Sequence, residues 1–427
     1  MFLIESFLNK FYRTKMRAVM EFDDVTNVSI PEKKSNDKDD YLLYIHIPFC
    51  ESLCPYCSFH RFVLDKELAR KYFKALRKEL QMYKDLKYDF KGLYIGGGTP
   101  TIMMDELLET LSFTKKLFSI KEISVETNPN HVTEENIKLL KKAGVNRLSV
   151  GVQSFDDEIL KQIGRYEKYG SGKEIIDRLK KAIGQFDTLN IDLIFNMPTQ
   201  SKESLNRDLD IIDETLAEQV TFYPLMSSTN VEKSIKSTLG NVDYKQEKSF
   251  YFTILNRMRK NYTGSTAWCF SRGSSMIDEY VIIYNKYVGV GSGAFGYFND
   301  SIYANTFSLN EYIDKINNNE LPIASVKTFT EKENMHYFLL MKLFGLSMSK
   351  ESFKEKFGIK LYSALRKEMA FLKLIGAIKE SKGIVELTDI GRYYWVMGMR
   401  EFFIAVDNLR DKCRARVKLD PKETYYK

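Results

Sequence analysis

The sequence is poor in the features that would assign it to several common classes. It has five cysteines in 427 residues, an odd number, which does not suit the disulfide framework of a small secreted module. No apolar run approaches the roughly 20 residues that a membrane span needs. No small-residue cleavage site follows the N-terminal segment, so a signal peptide is not expected either. Long basic tracts and RNA-binding signatures are missing. The net charge of +7 comes from 64 basic against 57 acidic residues spread along the chain. It argues weakly for an anionic ligand and hardly at all for nucleic acid. Hydrophobic residues at 44% and charged residues at 28% are average for a folded soluble chain, and the expected address is the cytoplasm. The one surplus is aromatic, at 13%, which suits either a roomy apolar pocket or a core built with rings.

The length fits two or three domains at about 100–200 residues each. "MFLIESFLNKFYRTKM" sets Phe2, Leu3, Phe7, Leu8 and Phe11 on one side of a helix, with Glu5, Asn9, Lys10 and Arg13 elsewhere. That face either docks on the domain or lies on a membrane or partner surface. The polar stretch "DVTNVSIPEKKSNDKDD" reads as a linker. From Tyr41 onward, short apolar runs alternate with amphipathic ones. The runs "YLLYIHIPF", "GLYIGGG", "EISVETNP", "NRLSVGVQS", "NIDLIFNMP" and "EQVTFYPLM" read as strands, with helical stretches near residues 66–88, 103–118, 133–143, 156–186 and 202–217. Repeated strand–helix–strand order predicts an α/β fold with a parallel sheet, and six units of roughly 30 residues favour a six-unit partial (β/α) barrel.

The expected organisation is residues 1–40 as N-terminal helix and linker, 41–230 as barrel, 231–325 as an extension closing it, and 326–427 as a helical, winged-helix-like module. "YVGVGSGAFGYFND" reads as a glycine-rich turn region. The winged module is expected to pack rather than to bind DNA.

Three of the five cysteines lie in "YIHIPFCESLCPYCSF", as Cys50, Cys54 and Cys57. Thiolates spaced CxxxCxxC can hold one cubane iron–sulfur cluster from a single loop and leave one iron without a protein ligand. A structural zinc site asks for four ligands. Cys269 and Cys413 are distant, so only His46 or His60 would complete one. An open iron can bind a ligand through nitrogen and oxygen and pass it an electron, and S-adenosylmethionine (SAM) offers that amino and carboxylate pair. Glycines in "GGGTP" let backbone amides approach a charged ligand. Glu126 suits ribose hydroxyls, and Arg165 suits a carboxylate.

The cysteine motif resembles that of the radical SAM enzymes. With "GGGTPT", "ETNP", "GVQSF", "IGR" and "IDLIFNMPTQ" in order, the barrel is similar to the oxygen-independent coproporphyrinogen III oxidase family. That larger group includes haem chaperones, anaerobic haem-degrading methyltransferases and class C radical SAM methyltransferases. The resemblance implies a [4Fe–4S] cluster on Cys50, Cys54 and Cys57 and reductive cleavage of SAM to a 5′-deoxyadenosyl radical. It implies Tyr44, Gly97 and Glu126 around the cluster-bound SAM. Tyr56, Gly98, Thr99, Gln153, Arg165 and Asp192 match positions that bind a second SAM in the oxidase. It further implies an electron donor such as ferredoxin or flavodoxin, and a tetrapyrrole or other large aromatic substrate that is oxidatively decarboxylated or C-methylated.

The sequence also departs from the oxidases. They usually carry a further cysteine two positions past the third ligand, where this chain has Phe59, and a His shortly after the Gly-Arg pair, where it reads "GRYEKY". The Phe variant looks like the haem chaperones and the methyltransferases, which makes a haem-binding chaperone the alternative function. The chaperones typically have a His-containing stretch where this chain reads "STAWCFSRGSSMIDEYVIIYN" without His. Trp268 and Arg272 there resemble the haem-degrading branch.

Overall fold

The computed structural model describes residues 2–25, 33, 40–273 and 280–417. Six strands run parallel in sequence order: β1 (Tyr41–Ile47), β2 (Phe90–Gly97), β3 (Glu122–Thr127), β4 (Arg147–Gln153), β5 (Thr188–Phe195) and β6 (Gln219–Pro224). Their side chains are almost continuously buried, as parallel strands covered by helices on one face and a packed interior on the other must be. Between them lie α2 (Lys66–Asp85), α3 (Met104–Leu117), α4 (Glu134–Ala143), α5 (Gly172–Ala182) and α6 (Lys202–Thr215), following the N-terminal α1 (Phe2–Val19). Sequence-local chemistry starts the barrel helices. Asp65 accepts from the amides of Glu67 and Leu68, and Ser171 and Ser201 each close a capping box. The six-unit partial barrel expected from the alternation is the observed core of the fold.

Two regions differ from expectation. Residues 156–186 are not one helix. Short helical turns at Asp157–Gln162 and Tyr166–Tyr169 precede α5, separated by Gly164 and Gly170 at φ 68° and 90°, a backbone region in which a side chain is strained. The first break puts Arg165 in a loop. The glycine-rich stretch is not a turn region: Lys286–Val290 forms β7, parallel to β1 on its outer side, and Phe295–Phe298 and Ser301–Asn305 continue the sheet as an antiparallel hairpin. The glycines serve close packing. A Cβ at Gly289 would stand 2.1 Å from Phe295 O, and one at Gly296 would enter the Tyr303 ring at 2.2 Å. The linker falls mostly outside the described residues, whereas α1 docks on the domain.

The C-terminal part holds α7 (Glu331–Phe344), shorter helices at Lys350–Phe357 and Arg366–Leu374, and a three-stranded sheet of Ser347–Ser349, Ile378–Ser381 and Ile384–Leu387. It ends in the long α8 (Asp389–Arg416). Among the described residues no helix is long and apolar enough to cross a membrane.

One buried carboxyl ties α2 to the glycine-rich segment. Glu79, fully buried, accepts from the Tyr312 hydroxyl at 2.6 Å and the Gly291 amide at 2.9 Å. Burial pushes its pKa from 4.5 up to about 8. A folded value above the unfolded one means stability that is complete below about pH 4.5 and is lost as the pH rises through about 8. Glu79→Gln removes this titration. Its unfolding free energy is expected to stay within about 1 kcal/mol of wild type near pH 5 and to exceed it by a few kcal/mol, on the order of 2–4, at pH 9. Urea denaturation at both pH values measures this, and parallel pH profiles for the two proteins would contradict it.

Candidate functional site

The cysteine loop leaves the C-terminal end of β1, where parallel α/β folds build their sites. Two backbone bonds continue the β1–β2 pairing past the strands: Gly98 N donates to Ile47 O at 2.8 Å, and Thr99 N donates to Phe49 O at 2.7 Å. These bonds press the glycine turn onto the loop so closely that a Cβ at Gly98 would lie 2.5 Å from Phe49 O. The Gly97 amide donates to Glu126 Oε2 at 3.1 Å. All three amides of the turn that the sequence offered to a ligand are therefore committed within the protein.

Cys50 and Cys54 are buried and Cys57 is half-buried. Thr99 Oγ1 lies 3.7 Å from Cys50 Sγ, Arg165 Nη1 lies 3.9 Å from Cys54 Sγ, and Arg61 donates to the Cys54 carbonyl. Burial, with Cys57 next in effect, pushes the Cys50 thiol up to about 12. Bound iron would hold such a sulfur as thiolate. Among the described residues no three His, Cys, Asp or Glu side chains converge as ligands of one ion would. A cubane does not need that convergence, because each thiolate meets a different iron. The two histidines that would complete a zinc site are engaged elsewhere. His46 receives the Tyr44 hydroxyl on Nδ1 at 2.9 Å and holds His60 O through Nε2 at 2.8 Å, while His60 Nε2 bonds Ser292 Oγ at 3.0 Å. Burial lowers the His46 pKa to about 3 and holds His60 well below its ordinary value. Both are neutral core histidines. The donor set thus fits a three-thiolate cluster.

Some of the predicted site residues join two hydrogen-bonded groups, one around Glu126 and one around Arg165, and the others stand beside them. In the first, Tyr44 packs its ring near Tyr94 and stacks on Tyr280, at 6.1 and 5.9 Å between centroids. Tyr94 O–H and the Gly97 amide both donate to the Glu126 carboxylate. In the second, Arg165 donates to Tyr56 Oη at 3.2 Å, to Asn128 Oδ1 at 3.1 Å and to the Gly151 carbonyl. Asn128 in turn donates to Thr99 Oγ1 at 2.7 Å. Gln153 sits on a bulge in β4 at φ 75°, and Asp192, opposite Gly151 in register, accepts from Ser149 and Asn190.

Arg165 is 4% exposed, its oxygen partners are a hydroxyl, an amide and a backbone carbonyl, and its Nε has none. Burial favours the neutral guanidine, but the neighbouring Tyr56 and Cys54 outweigh it and hold the group charged. A buried cation without a carboxylate suits an incoming anion.

Sequence reasoning missed Asn128, Tyr94 and Tyr280. Asn128 was within reach, since it stands inside "ETNP". Trp268 does not face a ligand: it is fully buried against Phe344, Tyr223 and Phe403. Arg272 is exposed and donates to Leu216 O at 2.7 Å. Cys269 is buried in a strand paired with β6. Trp268 and Cys269 are thus core residues in this fold, while Arg272 lies at the surface. Residues 274–279 of the same stretch lie outside the described ones.

Comparison with known proteins agrees with the fold and the thiol loop. The family model described as "Radical SAM superfamily" matches residues 44–212. The heme chaperone HemW of Bacillus subtilis is 30% identical over 82% of this chain and 95% of its own length. The oxygen-independent coproporphyrinogen III oxidase of Helicobacter pylori strain 26695 is 26% identical over 78% of each chain. The solved coproporphyrinogen III oxidase of Escherichia coli shares the fold, with a TM-score of 0.72 at 20% identity over 86% of this chain and 91% of that one. This chain belongs to the radical SAM superfamily. Within it, the chain is a member of the family that joins oxygen-independent coproporphyrinogen III oxidases and heme chaperones, and superfamily membership implies a [4Fe–4S] cluster and SAM.

The contact at Gly98 yields a direct test. Gly98→Ala forces the turn away from Phe49 and is expected to lower the unfolding free energy by about 1–3 kcal/mol and to reduce the iron retained after anaerobic reconstitution. Denaturation and iron analysis measure both, and a variant that matches wild type in both would show the turn to be free to yield.

Proposed function

We propose that this chain is a haem-binding protein of the chaperone kind, which retains a cluster and SAM site and does not turn haem over. The observation that carries this reading is the match to the Bacillus subtilis heme chaperone along 95% of that protein, with Phe59 in place of the oxidases' further cysteine. From motifs alone, an enzyme acting on a tetrapyrrole stands first. The comparisons favour the alternative, because the heme chaperones match at 30% and 29% identity over 82% of the chain and the oxidase at 26% over 78%.

When bound, the cluster supplies one electron to SAM. The side chains position the ligands. Cys50, Cys54 and Cys57 hold the cluster. Tyr44, whose hydroxyl proton is fixed on His46, presents its ring, and Glu126, held by the Gly97 amide, receives the SAM beside it. Tyr56, Gly98, Thr99, Gln153, Arg165 and Asp192 form the place for a second SAM, where the Arg165 guanidinium meets a carboxylate. Phe59 is 48% exposed beside the third thiol with the Arg410 guanidinium 5.2 Å over its ring. Arg410 is itself paired with Asp407, so what Phe59 offers a flat macrocycle is its aromatic face. That second SAM place also favours a catalytic reading, oxidative decarboxylation or class C methylation, since two SAM molecules suit both.

The test uses anaerobically reconstituted protein. Titration with haemin is expected to give stoichiometric binding, weakened about tenfold by Phe59→Ala. Incubation with dithionite, SAM and coproporphyrinogen III is expected to leave the porphyrinogen unchanged. Carbon dioxide released with 5′-deoxyadenosine, or S-adenosylhomocysteine with a methylated product, would replace the chaperone reading with the catalytic one.

A further inference from the structure

The N-terminal helix has two faces of different character. Its inner face is fixed to the fold. Leu8 is buried, as is Met20 just past the helix end, Tyr12 packs where Gly398 lacks a side chain, and Arg13 Nε meets Glu401 Oε2 at 3.1 Å. Asn9 accepts from Arg400, itself buried and paired with Glu247. The helix is therefore a rigid part of the surface.

Its outer face leaves Ile4, Phe7 and Phe11 exposed by 37%, 57% and 42%. Phe7 stacks with Phe11 at 6.1 Å and meets Phe371 edge-on at 6.4 Å. Phe371 belongs to the helix Arg366–Leu374, whose Leu374 is 84% exposed. Two elements far apart in sequence thus build one apolar patch. Cations are set into it: Phe7, Lys10, Phe11, Thr14 and Lys15 line one shallow groove, Arg17 is exposed on the same helix, and no acidic residue occurs between Ser6 and Met20.

We propose that this face docks on an anionic lipid bilayer. An interfacial helix inserts aromatic and aliphatic side chains at the headgroup boundary while lysines reach the anionic headgroups along their own stems. The interleaving of Lys10 and Lys15 with the two rings selects this occupant. A dry protein interface would have to bury those ammonium groups among apolar side chains. A two-fold contact with a second copy would set the same cations against each other.

The full chain is floated with vesicles of phosphatidylcholine alone and of phosphatidylcholine with about one third phosphatidylglycerol. Binding to the second set only is expected, falling as salt rises from about 0.1 to 0.5 M. Phe7→Ser with Phe11→Ser, and separately Lys10→Glu with Lys15→Glu, are each expected to reduce partitioning about tenfold. All four positions are exposed, and unchanged circular dichroism confirms folding. The proposal is overturned if wild type ignores both vesicle types, or if either double variant binds as well as wild type. It is equally overturned if the protein self-associates through this face, shown by a concentration-dependent size that the Phe variant abolishes, without vesicle binding.

Discussion

The site depends on a single close contact, Gly98 against the Phe49 backbone. There the β1–β2 ladder runs on beyond its strands and joins the glycine turn to the thiol loop. Glu126 is then fixed by the Gly97 amide and Tyr94, and Thr99 stands beside Cys50 and under Asn128. The position of the Cys50 sulfur follows from sheet geometry rather than from loop flexibility, which suits a cluster with a required open corner.

Arg165 carries the same constraint across the barrel. Its guanidinium touches the thiol loop, the Asn128 corner and the β4 bulge at once. A Lys could not make those directional contacts together. A buried charge with no carboxylate beside it is costly in isolation.

Much of this was legible from residue types. Parallel strands covered on both faces read as apolar runs, and thiols at fixed spacing announce their loop. Arg165 was found by motif, but its setting was not, since the amphipathic period continues across Gly164 and Gly170 and hides the broken helix. Asn128 acts on Thr99 and Arg165, 29 and 37 residues away, a relation that no local pattern encodes. The glycine-rich strand was misread for a similar reason. Glycine is depleted in strands, and what admits it here is the Tyr303 ring and the Phe295 carbonyl pressed against it. Trp268 sits in the core because Phe344 and Phe403, from the distant C-terminal helices, close over it.

The strand Lys286–Val290 beside β1 has a consequence for biosynthesis. The thiol loop emerges from the ribosome early, but the sheet behind it lacks one neighbour until roughly 240 further residues have been made, about 12–50 s at usual elongation rates. A strand made late thus completes the sheet next to the first strand of the barrel, and the pairing is among the longest-range in the fold.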